Sequence, residues 1–293
     1  MNIRRFIRLN IKHTIGYALF SLAAFIVFLY LLFPREEIKA RIIYEIERDT
    51  ATEIKTSGDK WIFPLGLTFK GIEFTKKEDK SYLLAHIDRL ALEIPVKSII
   101  SFSPVSTLTA DIYGGSARGL LTLRGNNRII QANWTNVDLS RIERLKEIPA
   151  ELVGRISGDL VLRLMNNIPE GQVRLLIKDG KLSKVKVMGF TFPDLPIEEL
   201  QGLIDIKGDT LSLKDVHFKN NDFKGTIKGD IQFRSETGSG GLNISIRFTV
   251  GEKMKKEYQG LLSLIERLKD REGYYTLQIK GDLRKPTVGW GQI

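Results

Sequence analysis

The sequence predicts a mainly β protein: a single N-terminal transmembrane helix, then an elongated, curved antiparallel β-sheet with a few short helices and one longer C-terminal helix. Three observations carry this. About ten segments alternate strictly between apolar and polar residues, the signature of strands with one dry and one wet face. The tetrapeptide Ile-x-Gly-Asp recurs at Ile156–Asp159, Ile206–Asp209, Ile227–Asp230 and Ile279–Asp282. An uncharged stretch from Ile15 to Phe33 follows a basic start.

That stretch, at about 1.5 Å per residue, spans about 28 Å, close to the roughly 30 Å of bilayer hydrocarbon. Arg4, Arg5, Arg8 and Lys12 precede it without an acidic residue, which keeps residues 1–14 cytoplasmic and exports the rest. A cleaved signal peptide is the competing reading, but Leu31-Leu32-Phe33-Pro34-Arg35 lacks the small residues such a site needs. Beyond the anchor (15–33), residues 34–60 read as a juxtamembrane helix and connection. Ile38, Ile42, Ile43 and Ile46 form a stripe that must pack on the first strands or face a partner.

From Trp61 to the C-terminus (61–293) the period is two. Pro95 ends one run, Gly114-Gly115 opens a hairpin, and Asp138 is an N-cap for a short helix through Ile148. The next strand is expected to end at an Asp179-Gly180 turn, and Pro193 to Leu200 to form a loop or helical turn. The longer helix is placed at Glu252–Asp270, with Gly273 as its stop. In three of the four tetrapeptides the alternation runs through the glycine. At Gly208 it breaks, because Ile204 and Ile206 are followed by Leu211 and Leu213, so this copy alone reads as a turn. Glycines inside strands mark bends, bulges or close approach, which favours strong curvature.

Few helices are available to cover so many one-sided strands. Either the sheet closes on itself as a sandwich or barrel, or it curls into a groove that shelters something apolar. The candidate groove residues are Leu160 and Leu162 in one strand, Phe223, Ile227, Gly229, Ile231 and Phe233 in a second, and Leu277, Ile279 and Gly281 in a third.

Chemistry is sparse. There is no cysteine, hence neither disulfide nor thiolate metal site, and His13, His86 and His217 lack ligand spacing. No nucleophile elbow or phosphate loop occurs. The tetrapeptide aspartates are single carboxylates on a wet face rather than converging calcium ligands. Arg4, Arg5, Arg8, Lys12 and Arg35 supply half of the net charge of +10, so the exported part is only mildly basic and nucleic acid is not expected as a partner. The residues therefore point to a non-enzymatic protein without catalytic, metal or cofactor site.

The succession "IPVKSIISFSPVSTLTADIYGGSARGLLTL", "VDLSRIERLKEIPAELVGRISGDLVLRL", "LPIEELQGLIDIKGDTLSLKDVHFKNNDFKGTIKGDIQF" and "LQIKGDLRKPTVGW" behind one anchor resembles type II secretion system protein N, in the branch with AsmA-like repeats. The likeness runs over about residues 10–290 and rests on pattern and order. It implies a single-pass bacterial inner-membrane protein with most of its chain in the periplasm. The implied role is a non-enzymatic component of the type II secretion machine, with the inner membrane and other secretion proteins as partners. AsmA-like relatives imply a second class, a β-groove that holds phospholipid or its acyl chains.

Overall fold

The computed structural model describes residues 34–291 except 51, 63–64, 78, 96, 99–104, 125–126, 148–150, 167, 185, 188–189, 192–193, 234–239, 258 and 283–284, together with 15–17, 19–21, 23–25, 27–28 and 32. It divides into two units, one ending at Thr52 and one beginning at Glu53.

In the first unit, the described residues from Ile15 to Phe28 are helical, with Phe20, Phe25 and Phe28 exposed. Among the described residues no helix is long and apolar enough to cross a membrane. The basic start and positions 18, 22, 26, 29–31 and 33 of the expected anchor lie outside the described residues, so the anchor as a continuous span does too. Helix α1 (Arg35–Thr50) follows, as the isoleucine stripe predicts. Within it, Glu45 pairs with Arg41 at 2.5 Å and with Arg48 at 2.6 Å.

The second unit is one open antiparallel sheet of 14 strands. Its first half comprises β1 (Thr52–Ile62), β2 (Gly66–Lys76), β3 (Asp79–Glu93), β4 (Val105–Ile112), β5 (Gly115–Arg124), β6 (Asn127–Asp138), β7 (Glu151–Met165) and β8 (Ile168–Ser183). After a two-stranded ribbon, β9 (Lys186–Val187) with β10 (Phe190–Thr191), the main sheet resumes. It continues through β11 (Leu195–Lys207), β12 (Thr210–Lys219), β13 (Phe223–Phe233), β14 (Gly240–Val250), β15 (Tyr275–Asp282) and β16 (Lys285–Trp290). Spatial order follows chain order, with β8 beside β11. Hairpin connections explain why the ladder is antiparallel throughout.

The connections are unequal at the two ends of the strands. From β5 onward, one end has connections of two residues after β5, β7 and β11. The other carries the inserted segments: short 3-10 turns at Leu139–Arg141 and Glu143–Glu147, the β9–β10 ribbon, and helices α2 (Glu252–Glu257) and α3 (Gln259–Ile265). This asymmetry decides which margin of the sheet is covered.

Several expectations are corrected. The sheet begins at Thr52, before Trp61, because Glu53 and Ser57 are bonded to the sheet: the Glu53 carbonyl accepts from the Thr75 hydroxyl at 3.3 Å, and the Ser57 hydroxyl donates to the Lys70 carbonyl at 2.8 Å. Asp179-Gly180 does not end a strand. Asp179 has φ +51° and the pair bulges opposite Gly154, after which β8 continues to Ser183. Residues 195–200 are strand, since Leu195 to Leu200 pair with the far half of β8. The longer helix is helical over the described residues of α2 and α3 but stops at Ile265, short of Asp270; a 3-10 turn at Glu266–Leu268 follows, and Lys269 then bridges back to Tyr275. Packing of Leu262 and Ile265 on the sheet overrides the continuous helical stripe. Asp138 does cap, accepting from the Ser140 amide at 3.0 Å, but it starts a 3-10 turn rather than an α-helix.

The tetrapeptides divide as their parity predicts. Gly208 (φ +55°) makes the β11–β12 turn, while Gly158, Gly229 and Gly281 lie within strands. Gly229 has φ +141°, and a Cβ there would stand 2.0 Å from the Asn243 carbonyl oxygen. Gly208 would meet nothing within 4 Å. Gly229→Ala is therefore expected to cost about 3 kcal/mol or more, against about 1 kcal/mol for Gly208→Ala. Chemical denaturation of the two variants checks this ordering.

Candidate apolar binding face

Ladder partners in an antiparallel sheet lie on the same face, so register converts separate strands into rows. One row crosses every strand of the main sheet except β1. It runs Leu67, Leu92, Leu108, Gly119, Ala132, Leu160, Val173, Ile204, Leu213, Gly229, Ile244, Ile279 and Val288, each paired with the next. At about 4.8 Å per strand the row is about 58 Å long. No member is polar.

Neighbouring rows on the same face repeat the pattern. Leu121, Ile130, Leu162, Gly171, Ile206, Leu211, Ile231, Leu242 and Gly281 form one. Val216, Ile227, Ile246, Leu277 and Trp290 lie on its other side. The structure thus brings together the sequence-derived candidates. Leu160, Gly229 and Ile279 share the central row, Leu162, Ile231 and Gly281 the next, and Ile227 and Leu277 a third. Phe223 belongs to the covered margin, and Phe233 stands 47 % exposed at the opposite one. Leu108, Ala132, Val173, Ile204, Leu213 and Ile244 belong equally to this face and were not singled out. Their alternation is visible in the sequence, but their cross-strand alignment is not.

Burial separates this face from a closed core. From Leu92 to Ile279 every residue of the central row is half-buried, none fully. In a sandwich the middle of the inner face would be its driest part. Full burial occurs instead in β2 and β3, at Leu67, Phe69, Ile72 and Ala91, and from β6 onward along one margin, where Val137, Ile177, Phe218, Phe248 and Tyr275 are all below 9 % exposed. The residues of that margin lie on the row Val137, Ile156, Ile177, Leu200, Phe218, Gly225, Phe248 and Tyr275. It is the margin that carries the inserted segments. Leu139 from the first 3-10 turn is itself buried, and Leu262, Met254 and Ile265 from α2 and α3 pack against Phe218, Phe248 and Tyr275. Phe223, Phe248 and Tyr275 stack in series at 5.1 and 5.5 Å.

Gly158 and Gly225 do not leave hollows for a ligand. The Trp134 ring lies over Gly158 and the Phe218 ring over Gly225, each 2.5 Å from where a Cβ would stand. Neighbouring aromatics thus fill the missing side chains. On the wet face the motif aspartates bond across strands. Asp159 pairs with Arg174 at 3.0 Å, and Asp230 accepts from the Ser212 hydroxyl at 2.5 Å. Among the described residues no group of three His, Cys, Asp or Glu is placed to hold a metal.

The helical cover is pinned by charge. Glu266 accepts from Lys269 and from the Tyr275 hydroxyl, the latter at 3.1 Å. The hydrogen bond from Lys269 holds the Glu266 carboxyl below its ordinary range, while burial pushes the Tyr275 phenol up. Asp270 accepts from the Tyr274 amide at 2.8 Å and from Arg247 at 2.6 Å; the first contact, then the second, lowers its pKa.

No family model, no curated protein and no solved structure matches the chain.

Because the folded-state pKa of Asp270 is depressed, its contribution to stability is in place above the ordinary carboxylate range and is lost as pH falls through the lowered value. Amide exchange at Glu272 and Tyr274, corrected for intrinsic rates, should therefore accelerate between neutral pH and an acid pH below the lowered value. In Asp270→Asn it should be fast at both. Unchanged protection across that interval would contradict the pinning role.

Proposed function

We propose that this protein holds lipid acyl chains on the apolar face of its sheet, in the manner of an envelope lipid-binding or lipid-transfer groove. The observation that carries the reading is the unbroken apolar row, partly exposed at every residue from Leu92 to Ile279. An exposed apolar surface of this extent calls for an occupant. Hydrocarbon fits it better than polypeptide. A peptide laid there would bring backbone N–H and C=O groups that need partners, and the rows offer almost none. Acyl chains need none.

Register shifts within the β6–β7, β7–β8, β11–β12 and β12–β13 pairs, with Gly154 and Gly229 at positive φ, support a bent sheet whose apolar side is concave. An inner-membrane anchor at Ile15–Phe33 and a periplasmic sheet complete this reading. The secretion-component role rests on the resemblance to protein N alone, and no feature of the sheet favours it over lipid holding.

Purified full-length protein, extracted in detergent and exchanged into phospholipid, should retain lipid by native mass spectrometry. Ile244→Glu, in the middle of the face, should reduce retention by about tenfold or more, since a carboxylate cannot be left unpaired among acyl chains. Asn243→Glu, on the same strand but the opposite face, should retain lipid as the parent does. Equal retention by both variants would contradict the assignment.

A further inference from the structure

From β4 to β16, between the open margin and the covered one, the paired positions of the apolar face contain a single charged residue among the described residues: Arg128. It stands in register with Leu123 on β5 and Leu164 on β7, and the next residue of that face on its own strand is Ile130. Other arginines of these strands, Arg118, Arg155, Arg163 and Arg174, take wet-face positions. Arg174 is paired there with Asp159 at 3.0 Å. Arg128 is exposed, and among the described residues its guanidinium has no ion pair or hydrogen-bond partner.

Placing a charge on the dry side of an otherwise apolar ladder has no folding benefit. A polar residue would serve solubility equally well on the facing side, and here the long stem stands between Leu123 and Leu164, where an apolar side chain would cover both. A guanidinium presents a planar fork of donors matched to carboxylate or phosphate oxygens. Its row lies at the end of the strands with two-residue connections, where an amphiphile's head would remain wet. Below it, Ile130 with Leu162, Ala132 with Leu160, and Trp134 with Gly158 extend the apolar surface along the six residues from Arg128 to Trp134. At about 3.3 Å each that is about 20 Å, enough for one acyl layer of about 15 Å.

Building on the acyl-chain reading, we propose that Arg128 is the head-group contact of this face. It selects anionic amphiphiles by pairing with a phosphate or carboxylate while the chain lies along β6 and β7 toward Trp134. The orientation is thereby fixed, head at the open margin and methyl end toward the covered one.

The test uses the full-length protein in detergent with three probes: phosphatidylglycerol, phosphatidylcholine of the same chains, and glycerol 3-phosphate without chains. Wild type should bind phosphatidylglycerol roughly five- to tenfold more tightly than phosphatidylcholine. Arg128→Gln should abolish that preference and keep the phosphatidylcholine affinity, and Arg128→Lys should keep part of it. Glycerol 3-phosphate should compete only at far higher concentration, because the chain supplies most of the affinity. Binding of both lipids with equal affinity in wild type and Arg128→Gln overturns the role of Arg128 and leaves the acyl-chain reading standing. Equal competition by glycerol 3-phosphate would make the site a free-anion site and overturn the proposal. Absence of both lipids from wild type overturns the reading on which it rests.

Discussion

Strand parity is the constraint on which everything else depends. A side chain changes face with every residue, so a slip of one position between two neighbours would interrupt the central row and bring Lys228 or Asp230 onto the dry side of β13. That the row stays apolar across all strands of the main sheet but the first means that each hairpin, bulge and glycine has been set to preserve phase. Where a bulge interrupts a ladder, the alternation recovers beyond it. Trp134 and Val137 flank the bulge in β6, Leu213 and Val216 that in β12, and all four stay on the apolar face. Gly229, where the backbone of β14 leaves no room for a side chain, joins β12, β13 and β14 on the central row.

The second constraint is where the covering segments sit. Among the described residues, the 3-10 turns, the small ribbon and the helical segments between β14 and β15 all enter at one end of the strands. The apolar residues nearest that end form a true core, in which Tyr275 is 1 % exposed. Those further along do not. The same face is thereby divided: the aromatic series Phe218, Phe223, Phe248 and Tyr275 packs as core, and the rows beyond it are only half-buried. Each fully covered residue of the margin contributes about 1.5–3 kcal/mol, a gain that the half-buried rows realise only in part.

Much of this was legible in the sequence. The one-sided runs at Phe223–Phe233 and Tyr275–Asp282 specify both strand and face, and the broken phase at Gly208 identifies a turn. Three things were hidden, each for a physical reason. Thr52–Ile62 is polar on both sides over most of its length, so its strand has no period to detect. Asp179 and Gly180 carry a turn signature that serves as a bulge once β7 and β11 lie on both sides. Arg128 precedes adjacent isoleucines, Ile129 and Ile130, so the phase of its strand is ambiguous until β5 and β7 settle it. The choice between sandwich and open sheet was beyond reach as well, because both bury the same residues along the chain and differ only in which strands meet.

The absence of cysteine allows the central claim, an apolar face open in its middle and closed along one margin, to be tested with single introduced thiols. Ile244→Cys and Phe248→Cys differ by four residues on one strand and one face, the first half-buried and the second at a position only 8 % exposed. The measurement is the rate of maleimide labelling of each in native full-length protein, with and without added phospholipid. An open face predicts that the thiol at 244 reacts readily without lipid and is slowed by it, while the thiol at 248 reacts only after denaturation. A thiol at 244 that is as unreactive as that at 248, whether or not lipid is present, would show a closed core and contradict the account.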